Sequence, residues 1–300
     1  MTASSSLIDR VLADRYRVGA LLGQGGMGAV LAADDLRTGR PVAIKTLLPE
    51  WAESAEARQR FEREAHTTSF LRHPNVVEVF ELGVLEDGTL FLVMERVRGS
   101  PVSDLIASGG LHPRRALVLM RQAIQGLGFA HQHGLVHRDL KPDNIMVSCV
   151  GEPGRTYEVV KLLDFGVVKL LGVAAAMFGE ERLTRTGITF GTPAYMAPEQ
   201  ALGRLVDARA DLYAIGVILF EVLTGRVLFD TDDAMQMLRM HVGTPPPTLA
   251  QATGEAPWCT AQMETLVGRA LAKKPDQRWP DARAFTDAID AAFRSIDHLG

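Results

Sequence analysis

Residues 137–144 read His-Arg-Asp-Leu-Lys-Pro-Asp-Asn, and no other stretch of the chain is as informative about its fold. Pro142 prevents a regular helix or strand here, because its ring fixes one backbone angle and it has no N–H group to donate. The polar side chains can therefore converge from a loop. Asp139 could orient and accept the proton of a hydroxyl group, and Lys141 could offset the charge of a phosphoryl group in motion.

A second short motif, Asp-Phe-Gly at residues 164–166, follows further along the chain. Asp164 and Asn144 together offer the kind of oxygen ligands that Mg²⁺ prefers. Phosphoryl transfer needs a proton acceptor, a cation and metal ligands in one place, and the two motifs supply all three. Scattered surface polar residues are a poor alternative explanation, because so many specified residues occur in order.

A glycine-rich stretch, Gly-Gln-Gly-Gly-Met-Gly-Ala-Val, occupies residues 23–30 between two predicted strands. Without side chains at Gly23, Gly25 and Gly28, backbone amides could approach phosphate oxygens closely. A dinucleotide-binding fingerprint would need a helix directly afterwards, whereas residues 30–45 have the pattern of a hairpin. No G-x-x-x-x-G-K-[ST] motif is present. Taken alone, the stretch could also be a mere flexible turn.

The run Val-Ala-Ile-Lys at residues 42–45 alternates as a strand does, which puts Ala43 and Lys45 on one face. A small residue such as Ala43 could form the floor of a pocket for a nucleotide base. Glu64 lies on the inward stripe of a helix predicted over residues 54–72, where a carboxylate needs a cation. Lys45 is the candidate partner, and the pair would hold the lysine against nucleotide phosphates. The alternatives are a solvated lysine at a strand edge and a glutamate that faces water.

The composition excludes several classes of protein. With 300 residues, 47% hydrophobic and 23% charged, the chain can bury one large core or two smaller ones. A net charge of −4 provides no basic field for nucleic acid. Cys149 and Cys259 match no metal or redox spacing, so free thiols in a reducing compartment are expected. The most apolar stretches, residues 170–179 and 212–220, are too short to cross a membrane. The first six residues lack a signal-peptide pattern.

The distribution of strand and helix patterns predicts an α+β protein with two lobes. Residues 1–15 are expected to form a disordered leader, and residues 16–97 a small antiparallel-sheet lobe with one key helix. Residues 98–295 favour a larger, mainly helical lobe. Its central helix, residues 210–224, is apolar around its whole circumference and therefore belongs inside the domain. A ligand site is expected in the cleft between two such lobes.

Together these motifs resemble the signature set of the protein kinase family. The resemblance covers about residues 16–295 and includes Ala-Pro-Glu at residues 197–199. Lys141 before Pro142, with Gly-Thr-Pro-Ala-Tyr-Met at residues 191–196, is similar to the serine/threonine type, particularly the bacterial kinases that look eukaryotic. The resemblance implies the bilobal kinase fold, with ATP and Mg²⁺ as cofactors and Mn²⁺ as a substitute for the magnesium ion.

The same resemblance implies structural and binding roles for individual residues. Asp211 would brace the catalytic loop, and Arg278 would pair with Glu199. The residues implied to surround the adenine are Val30, Ala43 and Met146, the gatekeeper Met94, and the hinge residues Glu95, Arg96 and Val97. An ordinary apolar core is the alternative explanation for the apolar members of this set.

Regulation is implied for one arginine and three threonines. Arg138 precedes the catalytic aspartate, and in the family such an arginine often binds a phosphorylated residue of the activation segment. Thr184 and Thr186 match the usual phosphorylation sites of bacterial members, where a phosphate would add close to two negative charges. Thr192 matches a position that contacts the catalytic aspartate and lysine. Autophosphorylation at Thr184 or Thr186 is therefore expected to activate the protein, the alternative being that both are merely exposed loop residues.

The expected reaction is transfer of the γ-phosphoryl group of ATP to serine or threonine hydroxyls of protein substrates, including the chain itself, in signal transduction. No nucleic acid and no membrane contact is expected for this segment. A cytoplasmic location is expected, either for a free protein or for the cytosolic part of a longer membrane-anchored one. A homodimer could support autophosphorylation.

Two functions of other classes remain as alternatives. A pseudokinase would keep the fold as a binding module, but such proteins usually lack a key residue, and Lys45, Asp139, Asn144 and Asp164 are all present. A kinase for small molecules would share some of the loop chemistry. Thr192 and the Ala-Pro-Glu segment instead resemble a platform for protein substrates.

Two stretches depart from the compact family pattern. Residues 151–155 are inserted between Asn144 and Asp164 and are predicted to form the tip of a long hairpin that does not affect catalysis. Residues 170–179 are apolar and alanine-rich, and they could fold as a short helix in an inactive state.

Overall fold

The chain divides into two units in its computed structural model, which describes residues 7–25, 28–47, 71–85, 88–152, 154–165 and 193–297. Among these, the first unit contains the described residues up to 73 together with residues 77–98. The second unit contains residues 74–76 and the described residues from 99 onward. The sequence predicted the change of lobe between residues 97 and 98.

An antiparallel sheet makes up the described part of the first unit. Its strands are β1 (Val11–Leu12), β2 (Tyr16–Gly25), β3 (Gly28–Asp35), β4 (Pro41–Leu47), β5 (Val79–Val84) and β6 (Leu90–Glu95). Their spatial order is β1-β2-β3-β4-β6-β5. The turn between β3 and β4 contains Gly39 with a φ of +69°, a left-handed conformation that glycine adopts at little cost. This sheet confirms the predicted antiparallel-sheet lobe.

One face of this sheet is covered by the N-terminal segment of the chain itself. Leu7 and Leu12 are buried in that core. The strands contribute its other members, which are Tyr16, Val18, Leu31, Ala33, Val42, Ile44, Phe91 and Val93. The prediction of a disordered leader over residues 1–15 is therefore wrong for residues 7–15, because an apolar sheet face must be buried and two leucines of this segment cover it. Residues 1–6 lie outside the described residues.

A small second sheet at the start of the second unit carries part of the candidate site. Its strands are β7 (Ser100–Pro101), β8 (Ile145–Glu152) and β9 (Arg155–Leu162), in that spatial order. Strands β8 and β9 form a hairpin paired from Ile145–Leu162 to Glu152–Arg155. The inserted residues 151–155 are therefore the tip of a long hairpin, as the sequence predicted.

Helices form most of the second unit as far as it is described. They are α1 (Val102–Ala107), α2 (Pro113–Gln132), α3 (Pro198–Ala201), α4 (Arg209–Thr224), α5 (Ala234–Gly243), α6 (Leu249–Thr253), α7 (Ala261–Ala270) and α8 (Ala282–Ser295). Helix α4 is buried on all sides from Ala210 to Leu223 and ends at Gly225, whose φ is +65°. The predicted central helix is thus confirmed, and with it the predicted α+β class. No helix in the described parts of the chain is long and apolar enough to cross a membrane.

Candidate active site

One buried carboxylate holds the backbone of the predicted catalytic loop, residues 137–144. Asp211, in the first turn of α4, accepts hydrogen bonds of 2.8 Å from the backbone N–H groups of His137 and Arg138. The imidazole of His131, near the end of α2, lies 2.8 Å from the same carboxylate. Arg138 has a left-handed φ of +63°, which costs a non-glycine residue about 1 kcal/mol. Charge-assisted hydrogen bonds offset this cost, so Asp211 braces the loop as the sequence predicted.

Asn144 connects the predicted proton acceptor to the predicted metal ligands. Its side-chain amide donates a hydrogen bond of 2.9 Å to the backbone carbonyl of Asp139. Its own backbone carbonyl accepts one of 2.9 Å from the N–H of Leu163, the residue before Asp164. Because β8 begins directly after Asn144 and β9 ends just before Leu163, Asn144 and Asp164 lie at the same end of one hairpin.

His137 holds the Asp-Phe-Gly motif in register with this loop. It is fully buried, and its Nε2 lies 2.8 Å from the carbonyl oxygen of Leu163. Since a carbonyl only accepts, the imidazole N–H is on Nε2, and Nδ1 accepts from the N–H of Asp139 at 3.4 Å. The ring also packs against Phe165, with centroids 4.9 Å apart. Asp164, between these contacts, has a left-handed φ of +53°, the kind of local strain that clusters at functional sites.

Lys141 follows Asp139 on the same braced loop. Its backbone is extended, with a φ of −150°, and it immediately precedes a 3-10 turn over Pro142–Asn144. The side chain is half-buried. Met146 is also half-buried and pairs with Lys161 across the β8–β9 hairpin.

In the first unit, five predicted nucleotide-binding residues share one face of the sheet. Residues directly opposite each other in an antiparallel ladder, and residues two apart on one strand, point to the same side. Val30 pairs with Gly23 on β2 and with Lys45 on β4. Ala43 lies two residues before Lys45 and pairs with Met94 on β6. This face is opposite to the one that the N-terminal segment covers.

Packing does not explain the glycine at position 23. A Cβ atom added to Gly23 would meet no other atom within 4 Å. Gly25 and Gly28 pair directly across β2 and β3, so glycine backbone lies on both sides of the turn. Such an arrangement favours a loop that leaves its amides open to a ligand. Ala32 and Leu92 lie on the same face through their pairing with Ala43 and Lys45, and the sequence reasoning missed them although strand alternation indicated them.

The predicted hinge begins at the end of β6. The backbone N–H of Glu95 donates to the carbonyl of Glu78 at 2.8 Å, and the Glu95 carboxylate accepts from the Glu78 N–H at 3.3 Å. Met94 is buried, whereas Glu95 and Val97 are half-buried. The contact of these residues with adenine stays a prediction.

Residues 193–200 are anchored to α4 and to the catalytic loop by contacts that the sequence reasoning missed. The Tyr195 hydroxyl donates a hydrogen bond of 2.8 Å to the Glu221 carboxylate. Burial raises the pKa of Glu221 to about 7, because the charged carboxylate loses its hydration. Gln200 donates through Nε2 to the carbonyl of Arg138 at 2.9 Å. No local sequence pattern indicates these pairs, since the partners meet only through the fold.

A buried ion pair fixes the end of the same segment. Both terminal nitrogens of Arg278 donate to the Glu199 carboxylate at 2.7 Å, as the sequence predicted. The guanidinium is fully buried, and it also donates to the backbone carbonyls of Arg209, Ala272 and Lys273. A buried charge is tolerated when its donors are satisfied in this way.

Several predicted residues lie outside the described residues. They are Glu64 with its predicted helix, Gly166, Thr184, Thr186, Thr192 and the apolar stretch over residues 170–179. Their roles stay predictions.

Residues 16–289 match the family described as the protein kinase domain. The chain is 39% identical to the serine/threonine-protein kinase pkn3 of Myxococcus xanthus, over 97% of its own length and 52% of that relative. It is 36% identical to the serine/threonine-protein kinase PrkC of Bacillus subtilis, over 96% of its own length and 42% of that relative. Among solved structures, the PknI kinase domain of Mycobacterium tuberculosis matches with a TM-score of 0.71 at 26% identity, covering 95% of this chain and 98% of that one.

The chain therefore belongs to the protein kinase family, which confirms the resemblance and the fold that the motifs predicted. Its relatives place it in the serine/threonine type found in bacteria, a class of phosphotransferases that act on proteins. Members of this family use ATP and a divalent metal ion. The chain spans about half the length of the curated relatives it matches.

Proposed function

We propose that this domain transfers the γ-phosphoryl group of ATP to serine or threonine hydroxyls of protein substrates, its own chain included. The hydrogen bonds that join Asp139, Asn144 and the residue before Asp164 are the observation that carries the proposal. They connect a carboxylate proton acceptor to two oxygen ligands for a cation on one braced loop. This arrangement suits phosphoryl transfer, which depends on positioning and electrostatics more than on covalent chemistry.

In the proposed reaction, Asp139 orients the acceptor hydroxyl and takes its proton. The hydroxyl oxygen forms a bond to the γ-phosphorus, the bond from that phosphorus to the β-phosphate oxygen breaks, and ADP leaves. Lys141 and Lys45 offset the negative charge that spreads over the phosphoryl oxygens. Glu64 is proposed to orient Lys45.

Magnesium is the proposed metal, with Asn144 and Asp164 as its protein ligands. A carboxylate and an amide oxygen are hard ligands of the kind that Mg²⁺ binds, and two of them leave room for water and phosphate oxygens. The amide nitrogen of Asn144 is used by Asp139, which leaves its oxygen as the atom for a cation. When bound, the ion would neutralise phosphate charge. Mn²⁺ is proposed as a substitute because it accepts the same oxygen ligands.

The nucleotide's remaining contacts are proposed from the residues that share one sheet face and from the family resemblance. The glycine-rich strands would present backbone amides to the phosphates. The adenine would contact Val30, Ala43, Met94, Glu95, Val97 and Met146.

Residues 193–199 are proposed as the platform for the protein substrate, with Thr192 as the contact to the catalytic groups. Arg138 is proposed to bind phosphate on Thr184 or Thr186. Its backbone is fixed by Asp211 and Gln200 while its side chain is exposed, which would let it receive a phosphate without moving the loop.

The setting of the whole protein is proposed from composition and from its relatives. A cytoplasmic location fits the free thiols of Cys149 and Cys259, either for the domain alone or for the cytosolic part of a longer membrane-anchored protein. The net charge of −4 argues against nucleic acid as a partner. A homodimer is proposed as the species that phosphorylates itself.

Labelled ATP with Mg²⁺ and an acceptor protein tests the proposal directly. Asp139→Asn is expected to lower the labelling rate by at least about a hundredfold, the usual contribution of a proton acceptor. Nucleotide affinity, measured by calorimetry, should change little because Asp139 is proposed to contact the acceptor hydroxyl. Asp143→Asn is the matched control, since Asp143 is exposed on the turn that follows and has no proposed role.

Full turnover by the Asp139→Asn variant would contradict the assignment. A native chain that bound ATP and labelled no acceptor would be a pseudokinase. Labelling of small hydroxyl compounds in preference to proteins would favour the small-molecule alternative.

A further inference from the structure

His241 is a fully buried histidine on α5 that the proposed reaction does not use. The rings of Phe229 and Tyr213 contact its imidazole edge-on, with centroids 5.1 Å and 5.8 Å away. Its Nδ1 lies 2.9 Å from the Tyr213 hydroxyl, whereas Nε2 is buried and has no hydrogen-bond partner among the described residues. An apolar side chain would fill this position without the desolvation cost. Packing alone therefore does not explain the histidine.

Burial determines which atoms of His241 and Tyr213 carry protons. Burial, together with repulsion from Lys273, lowers the pKa of His241 to about 4, so the imidazole is neutral at pH 7. Burial also raises the pKa of Tyr213 well above its ordinary value, so the hydroxyl stays protonated. It therefore donates a hydrogen bond to Nδ1 of His241. The imidazole N–H is then on Nε2. Helix α5, which carries His241, also packs against the 3-10 turn over Pro193–Tyr195.

Tyr213 connects the histidine to the buried ion pair. The guanidinium of Arg278 lies over the Tyr213 ring, 4.8 Å from its centroid, and binds Glu199 through both terminal nitrogens. Glu199 is the last residue of the segment over 193–199, and Ala194 is near its start. These side chains therefore reach one end of that segment, and α5 packs against the turn at its other end.

We propose that His241 is a positioning residue for the acceptor protein. It holds residues 193–199 at one end through the packing of α5 against the turn over Pro193–Tyr195, and at the other through Tyr213 and the ion pair, in the conformation that binds the substrate. The proposal rests on the proposed function, which gives this segment the role of the substrate platform. His241 acts through the segment and contacts no reacting group.

Steady-state kinetics with ATP and myelin basic protein separate this role from plain structural support. His241→Leu removes both ring nitrogens, and Tyr213→Phe removes only the hydroxyl. Each should raise the KM for the acceptor about tenfold, which corresponds to one lost hydrogen bond, while the KM for ATP stays within about twofold. His241→Asn keeps a polar atom near the position of Nδ1 and should recover part of the loss.

Phe229→Leu is the matched control, because it alters packing in the same pocket and removes no hydrogen bond. It should lower the Tm and leave the acceptor KM unchanged. The proposal is overturned if His241→Leu and Tyr213→Phe behave like this control, or if both substrates lose affinity in parallel.

Amide hydrogen exchange distinguishes a failure of this proposal from a failure of the proposed function. If the native chain labels no acceptor, the proposed function fails. The positioning contact is still measured, because His241→Leu should speed exchange in residues 193–199 at least about tenfold over the native chain. Unchanged exchange there would overturn the contact itself.

Discussion

Asp211 accepts two backbone hydrogen bonds from the catalytic loop and lies 2.8 Å from the imidazole of His131. The carboxylate is almost completely buried, so each donor would lose an acceptor that water cannot replace if the charge were removed. The position of Asp139, the proposed proton acceptor on this loop, therefore depends on the buried carboxylate of Asp211.

Asp211→Asn is expected to lower the free energy of unfolding by about 3 kcal/mol, because its amide N–H₂ faces donors instead of accepting from them. The kcat should fall with it while ATP affinity is kept. Urea unfolding measures the stability. Asp207→Asn removes an exposed pair with Arg209 just before α4 and should cost less than about 1 kcal/mol. Equal losses in the two variants would contradict the bracing role.

At the scale of elements, α4 has a mostly apolar surface with one buried carboxylate near each end. Asp211 at its start accepts hydrogen bonds from the loop over residues 137–144, and Glu221 near its end accepts one from Tyr195 in residues 193–199. The helix thus places a loop and a segment that are far apart in sequence. The helix is buried and therefore rigid, so its two carboxylates hold their hydrogen-bond partners in fixed positions.

Glu221 should give the domain a measurable pH dependence of stability. Burial raises its folded pKa to about 7, whereas the unfolded carboxylate titrates near its ordinary value, so the folded chain binds more protons between these values. Stability contributed by this group is then lost as the pH rises through that window. Glu221→Gln removes the titration and can still accept from Tyr195. The variant should therefore gain on the order of 3 kcal/mol relative to the native chain between pH 4.5 and pH 8.

Urea unfolding of both proteins across that pH range provides the measurement. Comparing the difference between them cancels the contributions of other groups, including His241. A difference that does not change with pH would show that Glu221 titrates normally.

Two glycines that follow α4 and α6 allow the energetic cost of backbone strain to be measured apart from that of steric overlap. Gly225 has a φ of +65°, and a Cβ atom there would lie 3.0 Å from the carbonyl oxygen of Gly109. Gly254 has a φ of +71° and open space around it. Gly254→Ala should cost about 1 kcal/mol from strain alone, and Gly225→Ala about 2 kcal/mol or more. Urea unfolding of both variants measures the difference between their losses of unfolding free energy. That difference should vanish if the Gly109 backbone can move away from the added Cβ atom.

At the scale of the whole molecule, the proposed regulation depends on Arg138, a residue whose backbone is already fixed. Arg138 is held by Asp211 on one side and Gln200 on the other, and its exposed side chain is the proposed phosphate receptor. A phosphate that bound this arginine would not need to change the backbone of residues 137–144.

The Thr184→Ala, Thr186→Ala double variant is expected to lose the corresponding phosphopeptides and at least about tenfold in activity, because the phosphate–arginine pair is absent. Phosphopeptide mapping after incubation with ATP, alongside initial rates on an acceptor protein, provides the measurement. Thr156→Ala, an exposed threonine on the β8–β9 hairpin, is the control and should change neither. Undiminished activity with an unchanged phosphopeptide map would rule out both threonines as regulatory sites.

The sequence by itself determined the family, the α+β class and the central helix, because each depends on a motif or a periodicity that short stretches of chain display. The pairing of Glu199 with Arg278, which lie 79 residues apart, was implied only by the family resemblance. Strand alternation alone placed Ala43 and Lys45 on one face, since the side-chain period of two does not depend on neighbouring strands.

Only the tertiary structure decided how residues 7–15 are used, how Gln200 and Tyr195 anchor residues 193–200, and where His241 lies. The leader was predicted to be disordered because its own composition gives no reason for order, whereas its order comes from an apolar sheet face that must be covered. Gln200 and Tyr195 bond partners 62 and 26 residues away. Such contacts arise when elements pack, so no local pattern can encode them.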